Sequence, residues 1–550
     1  MTASLIVRNG TVLAPPDIPV DRPAGTAVAV GPDGRIVAVG TDADVRALRG
    51  PGTEEVDAGG GLILPGFDDA HSHVLAGGAW ACRLSLRDAE TVDEVVAAVA
   101  AYADEHPELE WVIGGGWNYR TFPGGYPTAA LLDRAVPDRP AIMVPSDGHS
   151  MWVNSVALRR AGIDRTTPDP PNGAIRRDAV TGEATGVLLE RANQLVYRVV
   201  PERSAADYAP ELDAAVAALH AKGFTAAQDP RTEYAELPAW TSARDEGRLA
   251  LRTRLALMMD PEQTLAEWER TLDEHATRLG GFRDADWLDG GILKCFVDGV
   301  VETGTAAMLE PYGHAHEHGT GTAAFTDEQL TEFVVAADRR GWQVQMHAIG
   351  DRAVRMALDA VAAAERRNGE WRSELVRPAT RPGRRHRVEH LEVVAPSDVA
   401  RFARLGVVAS IQPLHASIDP ERLTSWLELL GPERTAWAWP TAQLAATGAT
   451  VALGSDWPVV DFDPFDTLAA AVAGSNPDGS NALTLRQALH GYTHGAAVAA
   501  YAEDRRGSVR VGYDADLAVL DRDLLAEGAS ALAGTRVTAT VVGGRVVHRA

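Results

Sequence analysis

Apolar residues recur along this chain in two rhythms. Through the first 60 residues they come as short runs broken by hairpin dipeptides: Leu5 to Val7 before Asn9-Gly10, Val12-Leu13, Ala27 to Val30 before Asp33-Gly34, and Ile36 to Val39. The same texture returns at the other end, in Ser508 to Val511, Asp516 to Leu520, Thr538 to Val542, Gly543-Gly544 and Arg545 to His548. Neither end has strands enough to close a core alone, so residues 1–60 and 505–550 are expected to pair into one discontinuous β-sandwich. Between them, residues 61–504 alternate short apolar segments with Ala/Leu/Glu/Arg-rich stretches of helical spacing, the rhythm of βαβ units. Eight strands are predicted: Leu62 to Phe67, Thr225 to Gln228, Arg252 to Met258, Ile292 to Val297, Gln343 to Met346, Arg387 to Glu389, Val407 to Ile411 and Thr450 to Leu453. Eight closes a parallel barrel, so the expected fold class is α/β, a (β/α)8 TIM-like barrel. The gap of about 140 residues between the first two strands is too long for a βα connection. It predicts an insertion over about residues 76–215, with strand-like segments Trp111 to Gly114 and Ala141 to Pro145 and an exposed proline-rich stretch at Thr166 to Asn172.

Charge narrows the partners. A net charge of -24 repels phosphates and anionic lipid, which excludes nucleic acid and membrane surfaces and leaves a small molecule. The start has no basic segment leading into an apolar one, and no apolar run is long enough to span a bilayer, so the cytoplasm is the expected compartment. A homodimer is the default assembly for a soluble enzyme. Cys82 and Cys295 form no disulfide framework and no metal-finger spacing. Of 52 basic residues, only Lys222 and Lys294 are lysines. Arginine stays protonated, whereas a buried lysine can present a neutral, nucleophilic amine.

The candidate chemistry begins after the first predicted strand, at Asp69-Ala70-His71-Ser72-His73. On extended chain, residues i and i+2 share a side, so His71 and His73 can chelate one ion. His347 closes the fifth strand, His390 the sixth and Asp456 the eighth. Each lies at a C-terminal strand end, the rim where barrel active sites assemble. Singly, each histidine is as well explained by core packing and Asp456 by helix capping. Four strands of one barrel ending in metal-ligand residue types is what points to a metal. Lys294, on the fourth strand, would be repelled beside bound cations as an ammonium. Carboxylated by CO2, it becomes an anion whose two oxygens can bridge two ions; the alternative is a buried lysine paired with Asp298 or Glu302.

The order HxH, lysine, histidine, histidine, aspartate on strands one, four, five, six and eight resembles the amidohydrolase superfamily. Several strings resemble its family 3, the YtcJ-like branch that includes N-substituted formamide deformylase: Leu64-Pro65-Gly66-Phe67-Asp68-Asp69-Ala70-His71-Ser72-His73, Asp147-Gly148-His149-Ser150 with Val153-Asn154-Ser155, Asp298-Gly299-Val300-Val301-Glu302, Met346-His347-Ala348-Ile349-Gly350-Asp351 and Gly454-Ser455-Asp456-Trp457-Pro458. The resemblance runs nearly end to end. It implies that His71 and His73 hold the more buried ion and His347 and His390 the more exposed one. It also implies that Lys294 bridges, and that Asp456 binds metal and shuttles protons. One or two divalent ions fit, zinc being preferred by mixed imidazole and carboxylate ligands.

The expected reaction is attack of a metal-activated hydroxide on the carbonyl of a non-peptide amide, an N-substituted formamide among them, with Asp456 and Lys294 as the catalytic residues. No Gly-x-Ser-x-Gly elbow offers a serine nucleophile instead. The same hydroxide attacks carbamates, lactones and esters, which stand as the rival substrates. A non-catalytic scaffold on the same fold is the rival from another class, opposed by the full ligand set. Trp117, Asn118, His149, Trp152 and Trp457 are the expected substrate-binding residues, with core packing as the alternative for each tryptophan. Two histidine groups are read as bystanders: His314 to His318 as an exposed loop, and His490 with His494 as one face of a helix.

Overall fold

The computed structural model describes residues 2–18, 23–145, 150–170, 173–282, 286–313, 319–376, 383–416, 420–474 and 481–550. The chain divides into two compact units, Met1–Val74 with Val216–Ala550, and Leu75–Ala215.

Eight parallel strands build the centre of the first unit: Phe67–Asp69, Phe224–Asp229, Arg252–Met258, Leu288–Phe296, Gln343–Ala348, Arg387–His390, Val408–Ile411 and Val451–Leu453. They lie side by side in chain order. Across the seam between first and last, Ala70 N–H donates to Leu453 O at 3.1 Å and Asp456 N–H to His71 O at 2.7 Å. The barrel is thus nearly closed. Its helices form for local reasons. In Leu265–Arg278, Thr264 and Glu267 make a reciprocal capping box. In Asp327–Arg339, Leu330, Phe333, Val334 and Ala337 fall at the three-and-four spacing and are all buried.

The first predicted strand needs correcting. Leu62–Pro65 is not a barrel strand; it pairs with Thr11–Val12 and Leu517–Leu520 in a five-stranded sheet completed by Val537–Val542 and Arg545–Arg549. Only Phe67–Asp69 joins the barrel. Gly66 makes the switch because a Cβ there would come within 2.1 Å of Thr225 Cγ2. A four-stranded sheet, Ile36–Gly40, Ala27–Val30, Leu5–Arg8 and Glu54–Asp57, shares one apolar layer with the five-stranded sheet, built from Leu5, Val7, Val28, Val30, Val12, Ile63, Val519 and Val541. Ser508 to Val511 is not a strand: Val509 is buried in this layer while Val511 is 63% exposed.

The second unit holds a six-stranded sheet in the order Gly173–Arg177, Ala184–Glu190, Ser150–Val153, Ala141–Pro145, Val112–Trp117 and Leu84–Ser85. The helix Val92–Glu105, capped by Thr91 and Glu94, contributes Val95 and Val99 to a core centred on Trp117, Phe122 and Trp152. Among the described residues, no helix is long and apolar enough to cross a membrane.

Candidate metal centre

The strand ends of the barrel bring together residues far apart in sequence. The segment carrying His71 and His73 is not extended, as the sequence suggests, but bends just past the first strand. Backbone bonds hold the bend: Ser72 N–H donates to Gln228 O at 3.1 Å and His73 N–H to Trp457 O at 2.8 Å. The Asp69 carboxylate accepts from His71 N–H at 3.2 Å, Ser455 N–H at 2.9 Å and Ser455 Oγ at 2.6 Å. Gly454 has no room for a side chain, since a Cβ would stand 2.6 Å from His71 N. The strings around His71 and Asp456 are therefore two halves of one clamp.

Within it, the two histidines face one carboxylate oxygen. Asp456 Oδ1 lies 3.4 Å from His71 Nε2 and 3.2 Å from His73 Nε2. His390 Nδ1 is 3.9 Å from Asp456 Oδ2. Ligand atoms of His71, His390 and Asp456 all lie within 4.8 Å of one another, and all three residues are buried. The His347 ring packs on that of His390, centroids 4.4 Å apart. His390 and Asp456 have φ of +72° and +65°, a left-handed conformation that costs side-chain-bearing residues of order 1–3 kcal/mol and collects at functional sites.

Electrostatics prepares the set for a cation. Burial, and next the Lys294 charge, push His71 down to about 4 and His347 down to about 3. Burial, then His347 and His71, hold His390 well below the usual imidazole range. All three are therefore neutral with lone pairs available at pH 7. Burial raises the Asp456 carboxyl, but His71, His73 and His415 outweigh it and hold it well below the usual carboxylate range. Lys294, 1% exposed on the fourth strand, is lowered by burial to about 8 despite the opposing pull of Glu389 and Asp456. Of the two alternative partners of Lys294, Asp298 is taken up by the backbone N–H groups of Ala307, Ile349 and Gly350 at 2.9, 3.0 and 2.8 Å. Those bonds tie the Asp298-Gly299 loop to the turn after His347.

Sequence reasoning passed over Glu389 and His415. Glu389 Oε2 stands 2.6 Å from His71 Nδ1, which turns Nε2 toward the centre. Fully buried Arg387 donates to Glu389 Oε1 at 2.9 Å, and with His71 it overcomes the effect of burial and holds the carboxyl down to about 2. The signal was present, a charged pair flanking Val388 on a buried strand just before His390. His415 follows the seventh strand, whose end the sequence reading left without a ligand type.

The expected substrate-binding residues divide between the two units. Trp457 is 8% exposed and packs on Phe462 at 4.5 Å. Trp117 and Trp152 are wholly buried in the second unit's own core, their indole N–H groups donating to Met143 O and Thr128 O at 2.9 Å each. Asn118 is exposed and accepts from Arg120 N–H at 2.9 Å, capping a short 3-10 turn. His149 and His314 to His318 lie outside the described residues. His490 ends the helix Leu485–His490, and His494 sits in the π-helical turn Gly491–Gly495 that follows.

A parallel barrel with imidazoles and a carboxylate converging at its C-terminal strand ends is the architecture of a barrel hydrolase that works with metal. The chain belongs to the amidohydrolase family, whose model matches residues 54–548. It is 31% identical to Protein LONG AFTER FAR-RED 3 of Arabidopsis thaliana, covering 100% of this chain and 92% of that one. It is likewise 31% identical to the putative amidohydrolase YtcJ of Bacillus subtilis, covering 94% of each. Identity to the N-substituted formamide deformylase of Arthrobacter pascens is 27%, over 89% of each chain. Among solved structures, an uncharacterized metal-dependent hydrolase from Pyrococcus furiosus superposes with a TM-score of 0.73 at 25% identity, covering 95% of this chain and 99% of that one.

Proposed function

We propose that this protein hydrolyses a non-peptide carbon–nitrogen bond in a small amide, an N-substituted formamide being the first choice. A divalent metal, zinc by preference, would be held by His71, His73, His347, His390 and Asp456, with carboxylated Lys294 as bridge. The observation that carries this reading is the convergence of the His71, His390 and Asp456 ligand atoms within 4.8 Å. His390 Nδ1 supports it, being buried without a hydrogen-bond partner among the described residues, a cost of about 1–3 kcal/mol that coordination would remove. The deformylase among the relatives supports the choice of bond.

A bound ion supplies Lewis acidity, lowering the pKa of its water to about 7 and polarising the substrate carbonyl. Asp456, ionised by its imidazole neighbours, takes the proton released as water's oxygen bonds to the carbonyl carbon. It then gives that proton to the nitrogen as the carbon–nitrogen bond breaks, so that acid and amine leave with one water consumed. Lys294 at about 8 keeps roughly a tenth of its amine neutral at pH 7. That lone pair bonds to the carbon of CO2 and one proton is released, leaving a carbamate anion among the imidazoles.

Metal-loaded protein should release amine from N-alkyl formamides, and chelation or Asp456→Asn should abolish the release. Turnover of matched esters without any amide would overturn the choice of bond. Folded protein that takes up no metal from supplemented medium would favour the non-catalytic scaffold.

A further inference from the structure

His415 belongs to none of the roles assigned so far, although it stands against the centre. It lies in the 3-10 turn Pro413–Ala416 after the seventh strand, with its side chain 11% exposed. Its Nε2 is 3.4 Å from Asp456 Oδ2, its Nδ1 is 3.5 Å from Glu392 Oε1, and its ring lies parallel to His390 at 5.6 Å and 12°. The two oxygens of Asp456 therefore divide their neighbours: Oδ1 faces His71 and His73, while Oδ2 faces His415 and, at 3.9 Å, His390.

On the metal reading above, His71, His73 and His390 turn those same nitrogens to the cation. A nitrogen whose lone pair binds metal has no proton to offer a carboxylate. His415 lies outside the ligand set, and its Nε2, 3.4 Å from Asp456 Oδ2 but not hydrogen-bonded to it in this structure, is within reach to donate to that oxygen. Asp456 has need of such a donor, because its +65° backbone is a conformation that only surrounding contacts maintain. We infer that His415 is a positioning residue, fixing Asp456 through Oδ2 so that Oδ1 is aimed at the HxH pair, with Glu392 on its far side to orient the ring.

Co2+ alone serves as the probe, its affinity read by competition with a chelating dye and its geometry by visible absorption. His415→Ala should bind Co2+ about 10- to 100-fold more weakly, the usual effect of removing an outer partner of a ligand, with an altered spectrum. His415→Gln, whose amide can donate to the same oxygen, should recover most of both. The chelated variants should unfold at the wild-type temperature. Unchanged affinity and spectrum in His415→Ala, beside a wild type that binds Co2+, would overturn the role of His415 alone. An equal loss in both variants with a lowered unfolding temperature would also overturn it, in favour of a structural part. A wild type that takes up no Co2+ would overturn the metal reading, and this inference with it.

Discussion

Replacing Arg387 by methionine should destabilise the barrel by about 3–5 kcal/mol, the cost of stranding one member of a buried ion pair. The guanidinium is 0% exposed and donates to Glu389 Oε1 at 2.9 Å, Glu389 Oε2 at 3.3 Å, Ser410 Oγ at 3.1 Å, Ala70 O at 2.6 Å and Gln228 Oε1. Methionine keeps much of the volume and none of the donors. Glu389 would be left in the barrel interior with His71 and the field of Lys294, while three neutral acceptors lose a partner at roughly 1–3 kcal/mol each, so the lower bound is conservative. The measurement is guanidinium unfolding in excess chelator, so that weakened metal binding does not enter. Adding Glu389→Gln removes the stranded charge, and the double variant should regain about half of the loss. A pH series gives an independent sign. Glu389 has a depressed folded pKa, so its contribution is present above 4.5 and is lost as pH falls toward about 2. The gap between wild type and Arg387→Met should therefore narrow over that window. An Arg387→Met protein as stable as wild type, or a double variant less stable than the single one, would refute the reasoning.

Metal affinity should fall by up to about tenfold per pH unit between pH 7 and 5.5, because the neutral fraction of Lys294, at about 8, shrinks by that factor while His71 and His347 stay neutral down to about 4 and 3; titration with Co2+ at both pH values checks this, and an unchanged affinity would contradict it. Toward alkaline pH affinity should rise and level off above about 8, as the Lys294 ammonium gives up its charge, and bicarbonate should steepen the rise. Lys294→Arg, which keeps the charge but cannot take up CO2, should lose amide turnover by at least 100-fold, read as amine release; activity within tenfold of wild type would remove the bridge. Gly454→Ala should cost metal binding because its Cβ would press on His71 N at 2.6 Å, whereas Gly52→Ala, with nothing within 4 Å, should bind as wild type does.

Much of this fold is written in local periodicity. The three-and-four spacing of Leu330, Phe333, Val334 and Ala337 and the Thr264–Glu267 box are contained in a dozen residues each, and so were legible. Glu54–Asp57 was not, since Val56 is its one apolar residue and its strand character comes from parallel pairing with Leu5–Arg8. Leu62 to Asp69 reads as a single strand because both pieces are buried and alternation cannot tell one sheet from another; Gly66 divides it only once Thr225 is known to press against it.

For the centre, sequence determined the residue types and their places at strand ends, because barrel order places each such end on one rim. It also determined that Lys294 is the one lysine among the barrel strands. Only the tertiary structure decided which oxygen of Asp456 faces which imidazole, and that Glu389 and His415 stand behind them. It decided equally that Trp117 and Trp152 are packed into their own unit's core. Side-chain direction and burial depend on neighbours hundreds of residues away, and spacing along a chain does not encode what lies across from it.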